Sequence, residues 1–204
     1  MFLDYKIVLA TGNAHKASEF EALFRKHIGK DVKIYTLKDI GFLGDIDENG
    51  KSFSENAMIK AMAVAKEGVV AIADDSGLCC HALGGEPGIM SARYAGTGKD
   101  ADNNKKLLKN LEGKTDRSAS FVCALACVFP PEENVPAFVI EGECKGKILH
   151  SERGEGGFGY DPLFWIEEKG MTFSELDGEE KNLISHRGLA VENFVKELKK
   201  LGRL

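Results

Sequence analysis

The chain has 204 residues, of which 43% are hydrophobic and 29% charged, the proportions of a globular protein rather than a disordered, collagen-like or membrane-spanning one. A chain this long buries roughly 70% of the surface its unfolded form exposes, so it needs no metal or disulfide staple for stability. Its net charge of −5 argues against nucleic acid polymers or an anionic membrane as the main partner, yet leaves room for a small polyanion where basic groups and a divalent cation gather locally.

The N-terminus, Met1-Phe2-Leu3-Asp4-Tyr5-Lys6, carries neither a basic n-region nor an apolar h-region, so no secretory leader and a cytoplasmic setting are expected. Lys6 to Ala10 is an apolar run ending in Thr11-Gly12-Asn13, which predicts a strand entering a tight turn. A helix follows, with Asn13 as N-cap and Ala17, Phe20, Phe24 and His27 on its inner face. Ser52-Phe53-Ser54-Glu55 has the spacing of a capping box, and Phe53, Ala57, Ala61 and Val64 form the buried stripe of a second helix. Val69 to Ala73 is β-rich without alternation, as a strand covered on both faces would be. A third helix is expected over 102–111, long strands over 121–129 and 138–144, a short strand over 163–166, and a last helix capped by Ser185. The longest uncharged run, Ser118 to Pro131, spans 14 residues, too few for a bilayer. Five cysteines with no Cys-x-x-Cys predict buried free thiols. Alternating elements early and clustered strands later give an α/β fold, a mixed sheet flanked by helices. No linker or repeat divides it, so 1–204 reads as a single α/β domain.

Two glycine-rich stretches imitate nucleotide-binding motifs. Gly44 to Ser52 ends like a P-loop, but five residues instead of four separate Gly44 from Gly50, and Asp45, Asp47 and Glu48 would repel a phosphate. Gly154 to Gly159 has the dinucleotide fingerprint, but an apolar strand rather than a helix follows it, so no helix N-terminus faces a pyrophosphate.

Other segments carry better chemistry. Thr11-Gly12-Asn13-Ala14-His15-Lys16, at a strand-to-helix turn, combines backbone amides with a hydroxyl and a lysine, which suits a triphosphate as well as an ordinary capped helix start. Asp74 and Asp75 close the covered strand, a position suited to Mg²⁺ or general-base work, or to a simple capped turn. Consecutive strand residues point to opposite faces, so only one of the pair need face a ligand. Asp45, Asp47 and Glu48 form an acidic loop before the second helix, where carboxylates also suit the helix dipole. Phe158-Gly159-Tyr160-Asp161 offers an aromatic face and an acceptor for a base. Ser185-His186-Arg187-Gly188 supplies donors at a helix start.

In chain order, these motifs together with Asn56-Ala57…Lys60-Ala61 and Pro87-Gly88…Ser91-Ala92-Arg93-Tyr94 resemble the inosine triphosphate pyrophosphatase family. The resemblance implies an elongated mixed, twisted sheet with two lobes around a central cleft, usually a homodimer. It also implies Mg²⁺-dependent hydrolysis of ITP, dITP and XTP to the monophosphate and pyrophosphate. Carried over by position, Thr11, Gly12, Asn13, Ala14, His15 and Lys16 hold the triphosphate. Asp75 is the catalytic acid and, with Glu48, a metal ligand; Ser76 contacts substrate. Phe158 stacks on the base, Gly159, Tyr160 and Asp161 complete its pocket, and Lys181, His186 and Arg187 read the purine's 6-keto edge. Asp47, Lys60, Asp74 and Arg93 are further candidates. The alternatives are a related pyrophosphatase for pyrimidine or modified bases, and a non-catalytic nucleotide-binding regulator.

Overall fold

The structure, a computed structural model, describes residues 1–204. In chain order it forms β1 (Lys6–Leu9), α1 (Ala14–His27), β2 (Ile34–Thr36), α2 (Phe53–Val64), β3 (Val69–Cys80) and α3 (Asp100–Asn110). These are followed by β4 (Ser118–Val128), β5 (Phe138–Ile148), β6 (Phe164–Ile166), β7 (Met171–Thr172), α4 (Gly178–Ile184) and α5 (His186–Lys200). The strands form a mixed seven-stranded sheet in the order β2-β1-β3-β4-β5-β6-β7. β1 runs parallel to β2 and β3, whereas β6 runs antiparallel to β5 and β7. No helix is long and apolar enough to cross a membrane.

The chain divides into two compact units, Met1–Asp75 with Cys123–Gly142 and Arg187–Leu204, and Ser76–Val122 with Glu143–His186. The unbroken apolar run in β3 reflects cover on both faces of the first unit. Val70 and Ile72 join a core with Phe20, Leu23 and Phe24 of α1 and Phe194, Val195 and Leu198 of α5. Val69, Ala71 and Ala73, the alternate residues, pack with Ala57, Ala61 and Val64 of α2. The second unit has its own core, in which Leu107 and Leu111 meet Phe121, Phe164 and Phe173.

Local signals hold at the helix starts, with instructive departures. The Asn13 side chain caps α1 by accepting from the His15 and Lys16 amides. The inner face of α1 is Phe20, Leu23 and Phe24, while His27 stays half-buried. Ser52 Oγ accepts the Glu55 amide at 3.1 Å. The reciprocal half of the capping box is absent, because Glu55 accepts the Lys51 amide at 2.7 Å instead. The third helix begins at Asp100 rather than 102, and the strand expected from 163 begins at Phe164. β2 and β7, of three and two residues, are too short for periodicity to announce. The stretch after Gly159 turns directly into β6, so it has no helix to serve a dinucleotide.

All five cysteines are free, and only Cys79 is partly exposed. Burial pushes the thiols of Cys80 and Cys144 up to about 12, and those of Cys123 and Cys127 higher still. A thiolate is the reactive form, so these groups are doubly protected. Ellman's reagent at pH 8 is expected to titrate at most Cys79 in the folded protein and all five thiols in guanidinium. Rapid labelling of several thiols before unfolding would contradict this packing.

Candidate active site

The first group of functional side chains lies in the unit built from residues 1–75, 123–142 and 187–204, and it grows from β3. Because side chains alternate along a strand, Asp74 continues the Val70–Ile72 face and Asp75 the Ala71–Ala73 face. Asp74, 1% exposed, bonds the Lys16 ammonium at 2.8 Å, with the Arg187 guanidinium at 3.9 Å. Arg187 in turn bonds Glu19 at 3.0 Å. Burial is the largest influence on Asp74 and raises its pKa. Lys16, Arg187 and Lys60 together outweigh it, and hold the carboxyl well below the usual carboxylate range.

Asp75 faces α2. Its Oδ1 accepts from Lys60 Nζ at 3.1 Å and its Oδ2 from Asn56 Nδ2 at 3.2 Å. The same ammonium bonds Glu48 at 3.0 Å. Burial raises the pKa of Asp75, and Lys60, Lys16 and Asn56 offset only part of that rise. For Lys60, burial lowers the pKa but the three carboxylates Asp74, Asp75 and Glu48 reverse the shift, so the ammonium stays charged. Asn56 also accepts the Gly50 amide at 2.8 Å. A Cβ on Gly50 would stand 2.6 Å from that Asn56 oxygen, so the acidic loop needs glycine there to approach.

At the turn before α1, the amides of Asn13, His15 and Lys16 are already engaged, the first by Thr11 Oγ1 and the others by Asn13 Oδ1. An anion here therefore meets the Lys16 ammonium and the helix dipole rather than an open row of amides. Gly12, Ala14 and His15 are exposed and Thr11 half-buried. Asp47 is exposed on the acidic loop, and accepts from Asn49 at 3.4 Å.

The second group lies in the other unit. Asp161, 3% exposed, accepts from Lys181 Nζ at 2.7 Å and from the Phe158 amide at 2.9 Å. The Lys181 ammonium also lies 4.9 Å from the centre of the Phe158 ring, a cation–π distance. Gly157, at φ +75°, would place a Cβ 2.3 Å from Asp161 Oδ2, so the turn depends on glycine for both conformation and space. The Tyr160 hydroxyl donates to the Ser91 carbonyl at 2.9 Å. His186 is buried and stacks on Phe121, ring centres 4.8 Å apart. Ser76 is half-buried on β3, and Arg93 is exposed at the end of the 3-10 turn Gly88–Arg93.

These side chains form a phosphate- and metal-suited group around β3 and a ring-and-amide group around Phe158–Asp161. Known proteins resemble this chain over nearly its whole length. The Ham1 family model matches residues 7–197. The chain belongs to the Ham1 family. A dITP/XTP pyrophosphatase of Desulfotalea psychrophila is 49% identical over 193 residues, covering 94% of this chain and 84% of the relative. One from Bacillus licheniformis is likewise 49% identical, with 93% and 95% covered. The Ham1 protein structure from Staphylococcus aureus superposes with a TM-score of 0.84 at 38% identity, covering 96% of this chain and 99% of that one.

In this Ham1-family chain the sequence motifs named the acids and the cations beside them, but not two further polar partners. Asn56 stood in a quoted motif without a role, and Glu19 was not singled out. Both are polar residues on helices, and only the fold shows that Asn56 is buried against an acid. The donor set fits a hard divalent cation. Glu48 and Asp75 already converge on one ammonium, all donors are oxygens, and Mg²⁺ ordinarily takes one or two carboxylates and completes its shell with water and phosphate. Asp74, committed to Lys16, is the less suitable ligand.

The ion pair of Asp74 has a consequence for stability. Its carboxyl titrates at 3.8 in an unfolded chain and lower in the folded one, so its contribution is fully present above pH 3.8 and fades as pH falls through the folded value. Asp74→Asn leaves the Lys16 ammonium without its carboxylate, while Arg187 keeps Glu19, and is expected to cost about 3–5 kcal/mol at pH 7. The gap in melting temperature from wild type should narrow below pH 3.8. A gap unchanged between pH 7 and pH 3 would rule out the ion pair as its source.

Proposed function

We propose that this chain hydrolyses the non-standard purine nucleoside triphosphates ITP, dITP and XTP to the nucleoside monophosphate and pyrophosphate, with Mg²⁺ held by Glu48 and Asp75. One observation carries the reading. A half-buried acid of the loop before α2, Glu48, and a buried one of β3, Asp75, meet a single cation, Lys60 of α2, while the strand residue before Asp75 anchors Lys16. The names of the relatives support the substrate class.

In this reading Thr11 to Lys16 take the triphosphate, with Lys16 supplying charge to its oxygens. Glu48 and Asp75 would hold the Mg²⁺ ion, which when bound would supply charge neutralisation on the phosphates as the anhydride breaks. Asp75 orients a water and takes its proton, a task favoured by a carboxyl whose pKa burial has raised. The water oxygen forms a new bond to phosphorus, the α–β bridging bond breaks, and pyrophosphate leaves. Asn56 and Lys60 fix the Asp75 carboxylate by one hydrogen bond to each oxygen. Ser76 touches the substrate. Phe158 stacks on the base and Gly159, Tyr160 and Asp161 frame it, while Lys181 and His186 present donors to O6. Arg187, paired with Glu19 and near Asp74, belongs by its contacts with the phosphate-side cations. Adenine, which bears an amino group at that position, would leave buried donors unmatched, and this is how a polar site rejects a near-isostere. The same reading makes the enzyme a cytoplasmic homodimer.

Product analysis on a panel of ITP, dITP, XTP, GTP, ATP and pyrimidine triphosphates, with and without Mg²⁺, tests the proposal. Pyrophosphate from the inosine and xanthosine nucleotides, little from ATP or GTP, and none without metal is expected. Preference for a pyrimidine would move the reading to a sister specificity, and saturable ITP binding with no product would make the chain a regulator. Asp75→Asn should lower kcat by about 10²–10⁴-fold, the range for losing a positioned proton acceptor, with its melting temperature little changed. Turnover at the wild-type rate would remove Asp75 from the chemistry.

A further inference from the structure

Helix α3 opens with Asp100-Ala101-Asp102-Asn103-Asn104, in which the aspartates suit the helix dipole but the two asparagines are weak helix formers. Asn103 and Asn104 are nevertheless buried, at 2% and 4% exposed. Buried amides need partners, and theirs lie in two loops. Asn103 accepts the Ala95 amide at 2.7 Å and donates to the Ala92 carbonyl at 3.2 Å. Asn104 donates to Glu152 at 2.8 Å and to the Gly159 carbonyl at 3.2 Å. One turn earlier on the same face, Asp100 accepts the Gly159 amide at 2.8 Å.

Gly159 is thus gripped at both ends of its own residue, by side chains four apart on one helix. Its φ of +61° is a conformation that glycine adopts freely and leaves freely. Its neighbours are anchored elsewhere: Phe158 through Asp161, Tyr160 through Ser91, and Asp161 through Lys181. Without α3, Gly159 would be the one unheld joint between Phe158 and Tyr160.

We propose that Asp100 and Asn104 are specificity-determining positioning residues, which hold Gly159 by its amide and its carbonyl and so fix the Phe158–Asp161 segment against the substrate base. The inference rests on the base-reading role proposed above for that segment. Neither residue touches substrate. Their effect is to remove freedom from a loop that would otherwise have to order itself on binding, at a cost in affinity.

The test compares Asp100→Ala, Asp100→Asn, Asn104→Ala and Asp102→Ala with wild type in steady-state kinetics on dITP and dGTP, together with melting temperatures. Asp102 is the control, because its carboxylate sits in the same helical turn and bonds Thr97 instead. Loss of a hydrogen bond to a carboxylate should raise the KM of Asp100→Ala for dITP by about tenfold. Its kcat should change far less, and the preference for dITP over dGTP should narrow. Asp100→Asn keeps an acceptor oxygen and should recover most of the KM. Asn104→Ala should shift the same two quantities, and Asp102→Ala neither. The proposal is overturned if Asp100→Ala changes only the melting temperature, as Asp102→Ala would, or if Asp100→Asn is as impaired as Asp100→Ala. A wild-type enzyme inactive on every purine triphosphate overturns the functional reading and this proposal with it. An active wild type with unmoved variants overturns this proposal alone.

Discussion

Two adjacent carboxylates on a strand covered on both faces cannot share a task, and the first unit is arranged around that constraint. The two-residue period of β3 sends Asp74 toward α1 and α5 and Asp75 toward α2. Each acid is desolvated, and a desolvated carboxylate is tolerable only with a cation or donors beside it. Asp74 therefore takes Lys16, and Asp75 takes Lys60 and Asn56. The different strengths of these partnerships drive the two pKa values apart. The same residue type, one position apart, becomes a fixed anion on one face and a more basic carboxylate on the other, which is how a site assigns unlike roles to like groups.

Buried ion pairs are poor instruments of stability, since the cost of desolvation commonly matches the attraction. Asp161 with Lys181 illustrates the point in the second unit. A pair of apolar residues of similar volume would stabilise that position about as well, but would not hold the Phe158 amide or set an ammonium against the Phe158 ring. What the pair supplies is a fixed geometry. Asp161, Gly157 and Lys181 make one turn rigid, and α3 extends that rigidity to Gly159.

Much of this arrangement was legible in the sequence because it is local. The N-cap at Asn13, the Ser52 cap, the doubly covered strand and the opposed faces of Asp74 and Asp75 follow from residue type and period alone. The failures share a cause. Half of the capping box went to Lys51, because a Glu55 carboxylate reaches any nearby amide, and spacing does not choose between two adjacent ones. The partner of Asp74 lies 58 residues away and that of Gly159 lies 59 away, distances over which no periodicity carries information. Asn56, Glu19 and Asp100 have no signature beyond being polar on a helix. Asn103 and Asn104 left the one usable hint, as weak helix formers at a helix start.

The charge count around β3 explains why such a site would want a metal. Lys16, Lys60 and Arg187 face Asp74, Asp75, Glu48 and Glu19, so three cations meet four carboxylates and nearly all positive charge is already paired. A triphosphate entering these surroundings would gain little from lysines that must first leave their acids. Glu48 and Asp75 would hold a divalent cation with a change in the sign of the locality, and the Lys60 ammonium would then be released from the two carboxylates it bridges. In the proposed reaction, the acidity at this strand would be the means of recruiting the ion that a nucleotide needs in order to bind.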